Sequence, residues 1–448
     1  MKLARVSLQE KTQSILSQKQ YLFLAIPLII SGITTPILGA VDTAVVGRIP
    51  DPAAIGGVAI GAVIFNTMYW LLGFLRVSTS GFTSQAEGAN NEREVVLTFL
   101  RPMIIAILFG LLFIIFQSPI LHISMIVIGA SEHVNQFAST YFSIRIWGAP
   151  FTLLNYVIVG WLMGLGKVKL SLASQISMNV LNIILSIVFV IGFNLGIAGA
   201  AYATLIAEMS AVLFGIWLIF ISKKLSLKNV HVNMLFDSEP LLSMLNVNRD
   251  LFLRTVCLLA MTVSFTAMGA SLGEVTLAAN AVLLQVHYIM AYLIGGFANA
   301  SSILIGRSIG KKDKLLYKRV FLLSVQWGLV SSILLSGCMF LLGEAIVSLF
   351  STDTAVIETA ASYLIWMIVF PFAGFWGLQL EGIFSGATEA RFIRNSIIYA
   401  LIIYLIAILL FPSAFHNHGV WLSFILFSLS RTVFLGLYVR TLTRIKFS

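Results

Sequence analysis

The sequence predicts an all-α integral membrane protein with twelve transmembrane helices, arranged as two six-helix bundles related by a pseudo-two-fold along the membrane normal. Three observations carry this prediction. First, of 448 residues 59% are hydrophobic and 10% charged, with a mean hydropathy of +0.98. An ordinary soluble domain is about 45–50% apolar and about 25% charged, and even a large soluble core leaves much surface in water. Second, apolar segments of the roughly 20 residues needed to cross a bilayer recur along nearly the whole chain. Third, the second half repeats the first in weak register. A soluble enzyme, a disordered chain and a secreted disulfide scaffold are excluded. So is a porin-like barrel, whose strands are short and alternate apolar with polar.

The twelve segments fall near 20–46, 54–81, 95–118, 133–165, 168–191, 197–222, 241–271, 275–305, 316–342, 356–386, 392–411 and 419–440. A shift of 222 residues pairs Val41 with Val263, Ala59 with Ala281, Met68 with Met290, Gly73 with Gly295, Ser80 with Ser302 and Gly88 with Gly310. Near residue 150 the shift becomes 221, pairing Pro150-Phe151 with Pro371-Phe372. Polar landmarks agree: Gly88 precedes Asn90-Asn91-Glu92-Arg93, and Gly310 precedes Lys311-Lys312-Asp313-Lys314. Six spans separate equivalent points, so both halves enter the membrane in the same direction, a plan common among secondary transporters. The basic link with Lys223, Lys224 and Lys228 is the natural boundary. The expected division is 1–222 for one lobe, 223–240 for a cytoplasmic linker and 241–448 for the second lobe.

The formal charge of +10 does not point to nucleic acid. With the N-terminus placed in the cytoplasm, 24 of the 28 basic residues lie in or beside cytoplasmic loops and tails, as the positive-inside rule requires. Arg48 alone falls in an outer loop, and Arg76, Arg145 and Arg431 fall inside helices. The first span follows Lys2, Arg5, Lys11 and Lys19 without a small-residue cleavage site, so it reads as an uncleaved span. Cys257 and Cys338 lie in apolar segments and support neither a disulfide framework nor a zinc site.

Asp42 is the sharpest candidate for chemistry. It lies near the outer end of the first span, after Pro27 and Pro36, which remove helix hydrogen bonds and allow a bend. A carboxylate in a spanning helix is costly and usually lines a cavity or pathway; the competing reading is a side chain reaching outer water or pairing with Arg48. Asn179, Asn182 and Ser186 share one face of the fifth span, where they serve interhelical hydrogen bonding or a cation site. Asn155 and Tyr156 on the fourth span and Thr204 on the sixth can join the same cavity. Met178 and Met261 suit a site for varied apolar molecules or plain packing. Glu381 lies nearer the cytoplasmic end of the tenth span, as a second acid or a group reaching water. Glu208 and Arg431 occupy nearly equivalent places in spans six and twelve, where a pairing across the lobes is geometrically open. Phosphate-binding loops and a soluble ATPase domain are absent from the sequence, so energy would come from a gradient or a partner.

The chain resembles the multidrug and toxic compound extrusion (MATE) family, in its DinF-like branch. The resemblance rests on Pro27 with Asp42-Thr43-Ala44-Val45-Val46-Gly47, on Gly160-Trp161-Leu162-Met163-Gly164-Leu165-Gly166, on Asn179 through Ser186, and on Gly196 through Thr204. Asn248-Arg249-Asp250 with Arg254, and Glu381 through Thr388, extend it. It implies two six-helix bundles and efflux of drugs, dyes or toxins coupled to H⁺ or Na⁺ entry, with Asp42, Asn182 and Thr204 at the first lobe's cation site. A further family acid would fall at Ser186; its replacement by a hydroxyl weighs against a multi-carboxylate Na⁺ site and toward a proton on Asp42. The expectations are therefore a non-enzymatic, proton-coupled antiporter of amphipathic cations, monomeric, without organic cofactor or metal, in the bacterial cytoplasmic membrane with both termini inside. The alternatives are a lipid-linked saccharide flippase of the same superfamily and, from another class, a membrane-embedded enzyme.

Overall fold

The computed structural model describes residues 16–49, 51–129, 131–221 and 230–447; the side chains of 35–44 and of residue 52 lie outside the described set. Within it the chain is helical, with no strand. Ten helical stretches are long and apolar enough to span a bilayer, among them Ala53–Gly88, Glu132–Gly164 and Ala390–Phe447. The opening helix, Gln18–Val46, adds another. The last stretch holds two spans, since the backbone breaks at His416 (φ 49°, ψ −131°). Twelve spans result.

Local chemistry sets many of the helix starts. Asn91, Ser131, Asp313 and Asp353 each accept a backbone N–H of the first turn, which satisfies one of the donors a helix start leaves unpaired. Asp51 does the same for Ala53, with a proline opening the helix behind it. Irregularities fall inside spans: a break at Leu72–Gly73 and a π-helical turn over Ile187–Gly192. The stretch expected to be an outer loop after the third span instead forms Gln117–Ile128, an apolar helix with no buried residue. Its Ile120-Leu121 and Ile126-Val127-Ile128 give it enough apolar helical character to form.

Two compact units are present: Ile30–Val256, and Cys257–Ser448 together with the chain up to Ile29. In the first, Phe74–Gly88 packs on Ala149–Gly164 at Gly160 and Gly164, where an added Cβ would collide with the backbone of Arg76 and with Ser80 and Thr83. In the second, Glu274–Gly310 packs on Leu364–Gly386 at Gly382 and Gly386, where a Cβ would collide with the backbone of Ala298 and Ser302. These four glycines and their contacts are the same places in the 222-residue repeat. Small residues four apart let membrane helices approach to backbone distance, so both halves build their central pair in the same way.

Several buried polar groups find their partners within their own unit. Trp161 Nε1 donates to Val95 O at 2.8 Å, and Trp421 Nε1 to Asn280 Oδ1 at 2.9 Å. Asn280 and Asn417 exchange side-chain hydrogen bonds at 2.7 and 2.9 Å. Arg101, almost fully buried, pairs with Glu94 at 2.8 Å and donates to Met234 O at 2.8 Å. That clasp holds the short Val232–Leu235 helix against the third span. In the second unit, Tyr21 Oη meets Ser301 Oγ at 2.8 Å, tying the opening helix to Glu274–Gly310.

Candidate functional site

The fifth and sixth spans, Val168–Ser186 and Gly196–Ile221, pack side by side in the first unit. Val168–Ser186 turns Ile176, Val180 and Ile184 outward and buries Asn179, Asn182 and Ser186. A helix polar inside and apolar outside inverts the soluble pattern and places its polar groups where only neighbouring helices can satisfy them. Asn182 and Ser186 form a directed chain with Thr204, which Asn179 joins through no hydrogen bond among the described residues. Ser186 Oγ donates to Asn182 Oδ1 at 3.4 Å, Asn182 Nδ2 donates to Thr204 Oγ1 at 3.0 Å, and Thr204 Oγ1 donates to Ala200 O at 3.1 Å.

Beside this chain lies a cavity of about 10 Å³, lined by Val45, Val46, Val58, Tyr141, Ser186, Ala200 and Thr204. That is close to the lower limit for a single water. Val45 and Val46 belong to the helix that carries Asp42 and Pro36, whose own side chains lie outside the described residues. Pro27 is half-buried on the same helix.

The other residues singled out by sequence fall into three groups. Asn155 is buried and its Nδ2 approaches Met178 Sδ at 3.6 Å, so these two come together; Tyr156 follows on the same helix, half-buried. Met261 sits in the apolar core of the second unit with Phe265, Met290 and Met367, and its carbonyl accepts Tyr404 Oη at 3.2 Å. Glu381 contacts Arg431 directly.

The sequence left a pairing of Glu208 with Arg431 open; within each unit a nearer partner is present, and Glu381 meets Arg431. Glu208 faces Arg145 at 3.7 Å, and each acid has its base within its own unit. Arg145 also donates to Tyr141 Oη at 3.1 Å and lies 4.7 Å over the Phe65 ring, a cation–π contact. Thr152 faces the Glu208 carboxylate. Gly148 makes room for it, since a Cβ there would overlap Glu208 Oε2. Sequence reasoning placed Arg145 inside a helix but gave it no partner. The signal was available: an ionisable group within a span needs a counter-charge, and Glu208 is an acid within a span of the same half. Asn280 and Asn417 were missed because Asn417 follows the His416 break and read as part of an outer loop.

Long apolar helices, polar groups turned inward and a close-packed helix pair built twice define a multi-pass, all-helical membrane protein. The MatE family matches residues 27–188 and 251–413, one copy in each half. The chain is 35% identical over 413 residues to DNA damage-inducible protein F of Escherichia coli, covering 92% of this chain and 89% of that protein. It is 22% identical over 389 residues to the multidrug export protein MepA of Staphylococcus aureus, with 85% of each covered. Among solved structures, an outward-facing multidrug resistance MATE family transporter of the MOP superfamily superimposes with a TM-score of 0.86 at 19% identity, covering 96% of this chain and 97% of that one. The chain belongs to the MatE family and has the two-lobed helical fold of its transporters.

Proposed function

We propose that this protein exports amphipathic, often cationic organic compounds by alternating access, exchanging them for protons. The observation that carries the reading is the buried Ser186–Asn182–Thr204 chain beside a cavity also lined by Val45 and Val46, on the helix bearing Asp42. The export of drugs by the MepA relative supports the substrate class. In this reading Asp42 takes a proton from outside, with Asn179, Asn182, Ser186 and Thr204 adjusting around it. The first helix bends at Pro27 and Pro36, and substrate held in the first unit near Asn155, Tyr156 and Met178 is released outward. Ser186 offers a hydroxyl and no charge, which favours a proton over Na⁺, an ion that needs several oxygen donors and negative charge.

The gradient is sufficient: one proton supplies about 1.4 kcal/mol per pH unit and about 2.3 kcal/mol per 100 mV. The working arrangement is a monomer in a bacterial cytoplasmic membrane, both termini inside, with lobes 1–222 and 241–448 joined by 223–240. A lipid-linked saccharide flippase would need a strongly basic chamber, and Arg145, within the spans of the first unit, is engaged by Glu208 and Tyr141. In everted vesicles, Asp42→Asn should abolish the drug-dependent collapse of an imposed pH gradient while drug binding persists. Exchange at the wild-type rate in that variant refutes the role of Asp42, and exchange driven only by an imposed Na⁺ gradient refutes proton coupling.

A further inference from the structure

The last helix, Val439–Phe447, follows the twelfth span and is strongly two-sided. Leu442 is fully buried, while Arg440 and Arg444, one turn apart, are exposed. Two cations at that spacing repel each other. Facing them is Lys314, first residue of the Lys314–Ser348 helix, where the helix dipole already disfavours a cation. Together Lys314, Val439, Arg440, Thr443, Arg444 and Phe447 line an open groove of about 440 Å³.

Among the described residues, the nearby acids Asp313 and Glu389 are committed elsewhere. Asp313 accepts the Leu316 backbone N–H at 2.8 Å, and Glu389 takes Lys446 at 2.9 Å and Arg391 at 3.0 Å. Among the described residues, Lys314, Arg440 and Arg444 form no ion pair. Three cations converge on one groove with no counter-ion among the described residues.

The surroundings choose between kinds of anion. Leu315, next to Lys314, is 80% exposed, and Ile445 is exposed as well. Val439 and Phe447 add apolar wall. A small soluble anion would leave this apolar rim in water. An amphiphile whose charged head meets the cations and whose chain lies along Leu315 and Phe447 would cover it. The groove lies at the ends of two membrane-spanning stretches, where basic pockets meet lipid headgroups. We propose that it binds the phosphate headgroup of an anionic phospholipid, fixing Val439–Phe447 against the membrane surface. The assignment does not depend on the transport reaction proposed above.

The test uses the full-length protein in nanodiscs of phosphatidylcholine containing phosphatidylglycerol, with retained lipid counted by native mass spectrometry. The wild type should keep phosphatidylglycerol in preference to phosphatidylcholine. Arg440→Gln with Arg444→Gln should lower that retention about thirtyfold. Lys19→Gln with Arg93→Gln removes the same charge at exposed sites elsewhere and should leave it unchanged. Equal loss in both double variants, or no preference for the anionic lipid, overturns the site. So does protection of Arg440 and Arg444 from a dicarbonyl reagent by inorganic phosphate but not by phosphatidylglycerol, which would assign the groove to a soluble anion.

Discussion

The two halves share a scaffold and differ in chemistry. Gly160 and Gly164 in one, and Gly382 and Gly386 in the other, make the same backbone contacts at a constant offset of 222 residues. At that offset the polar set of the first unit has mostly apolar counterparts: Asn179, Asn182, Ser186 and Thr204 correspond to Leu401, Tyr404, Ile408 and Leu426. The buried ion pairs are transposed. In the first unit the acid Glu208 is on the sixth span and the base Arg145 on the fourth; in the second the base Arg431 is on the twelfth and the acid Glu381 on the tenth. Backbone-to-backbone packing tolerates no drift, whereas a polar group can move so long as a partner moves with it.

The largest expected effect tests the shared scaffold. Gly160→Val and Gly382→Val should each cost about 3 kcal/mol or more, since the new side chain meets backbone that cannot yield. Both should fail to give a monodisperse peak on size-exclusion chromatography. A normal peak for only one would show that the halves do not use the contact alike.

An intermediate effect tests the transposed pairs. Glu381→Gln should lower stability by about 3–5 kcal/mol, because Arg431 is left buried against a neutral partner. Glu208→Gln should cost less, about 1–2 kcal/mol, since Arg145 retains Tyr141 and the Phe65 ring. Thermal unfolding of the detergent-solubilised protein compares them, and equal losses would erase the distinction between a contact pair and a looser one. The smallest effect is Thr204→Val, about 1 kcal/mol, from loss of the hydroxyl that accepts from Asn182 and donates to a carbonyl already bonded within its helix. If its stability stays near wild type while exchange falls, the polar chain matters for work more than for folding.

Much of this was legible in the sequence. Hydropathy and the repeat predicted the twelve spans because the bilayer imposes length and composition on any crossing helix. The buried face of Asn179, Asn182 and Ser186 was readable because helical spacing fixes which residues share a side. Pairings were harder. Whether Glu208 meets Arg145 or Arg431 depends on which helices are neighbours, and the spacing of residues along one helix does not determine that. The four packing glycines were visible as motifs, but their partners Arg76, Ser80, Ala298 and Ser302 are set by the crossing of two helices. Gln117–Ile128 was hidden by its length, too short for a span and so taken for a loop.

The π-helical turn at Ile187–Gly192 begins directly after Ser186 and ends shortly before Gly196. Such a turn accommodates one surplus residue relative to α geometry. Deleting a single residue there would therefore tighten the coil without rotating Ser186 away from Thr204, whereas the same deletion a turn earlier would turn Ser186 by about 100° relative to Asn182 and part the two faces. Homologues one residue shorter in this stretch would keep the polar chain with a plain helix.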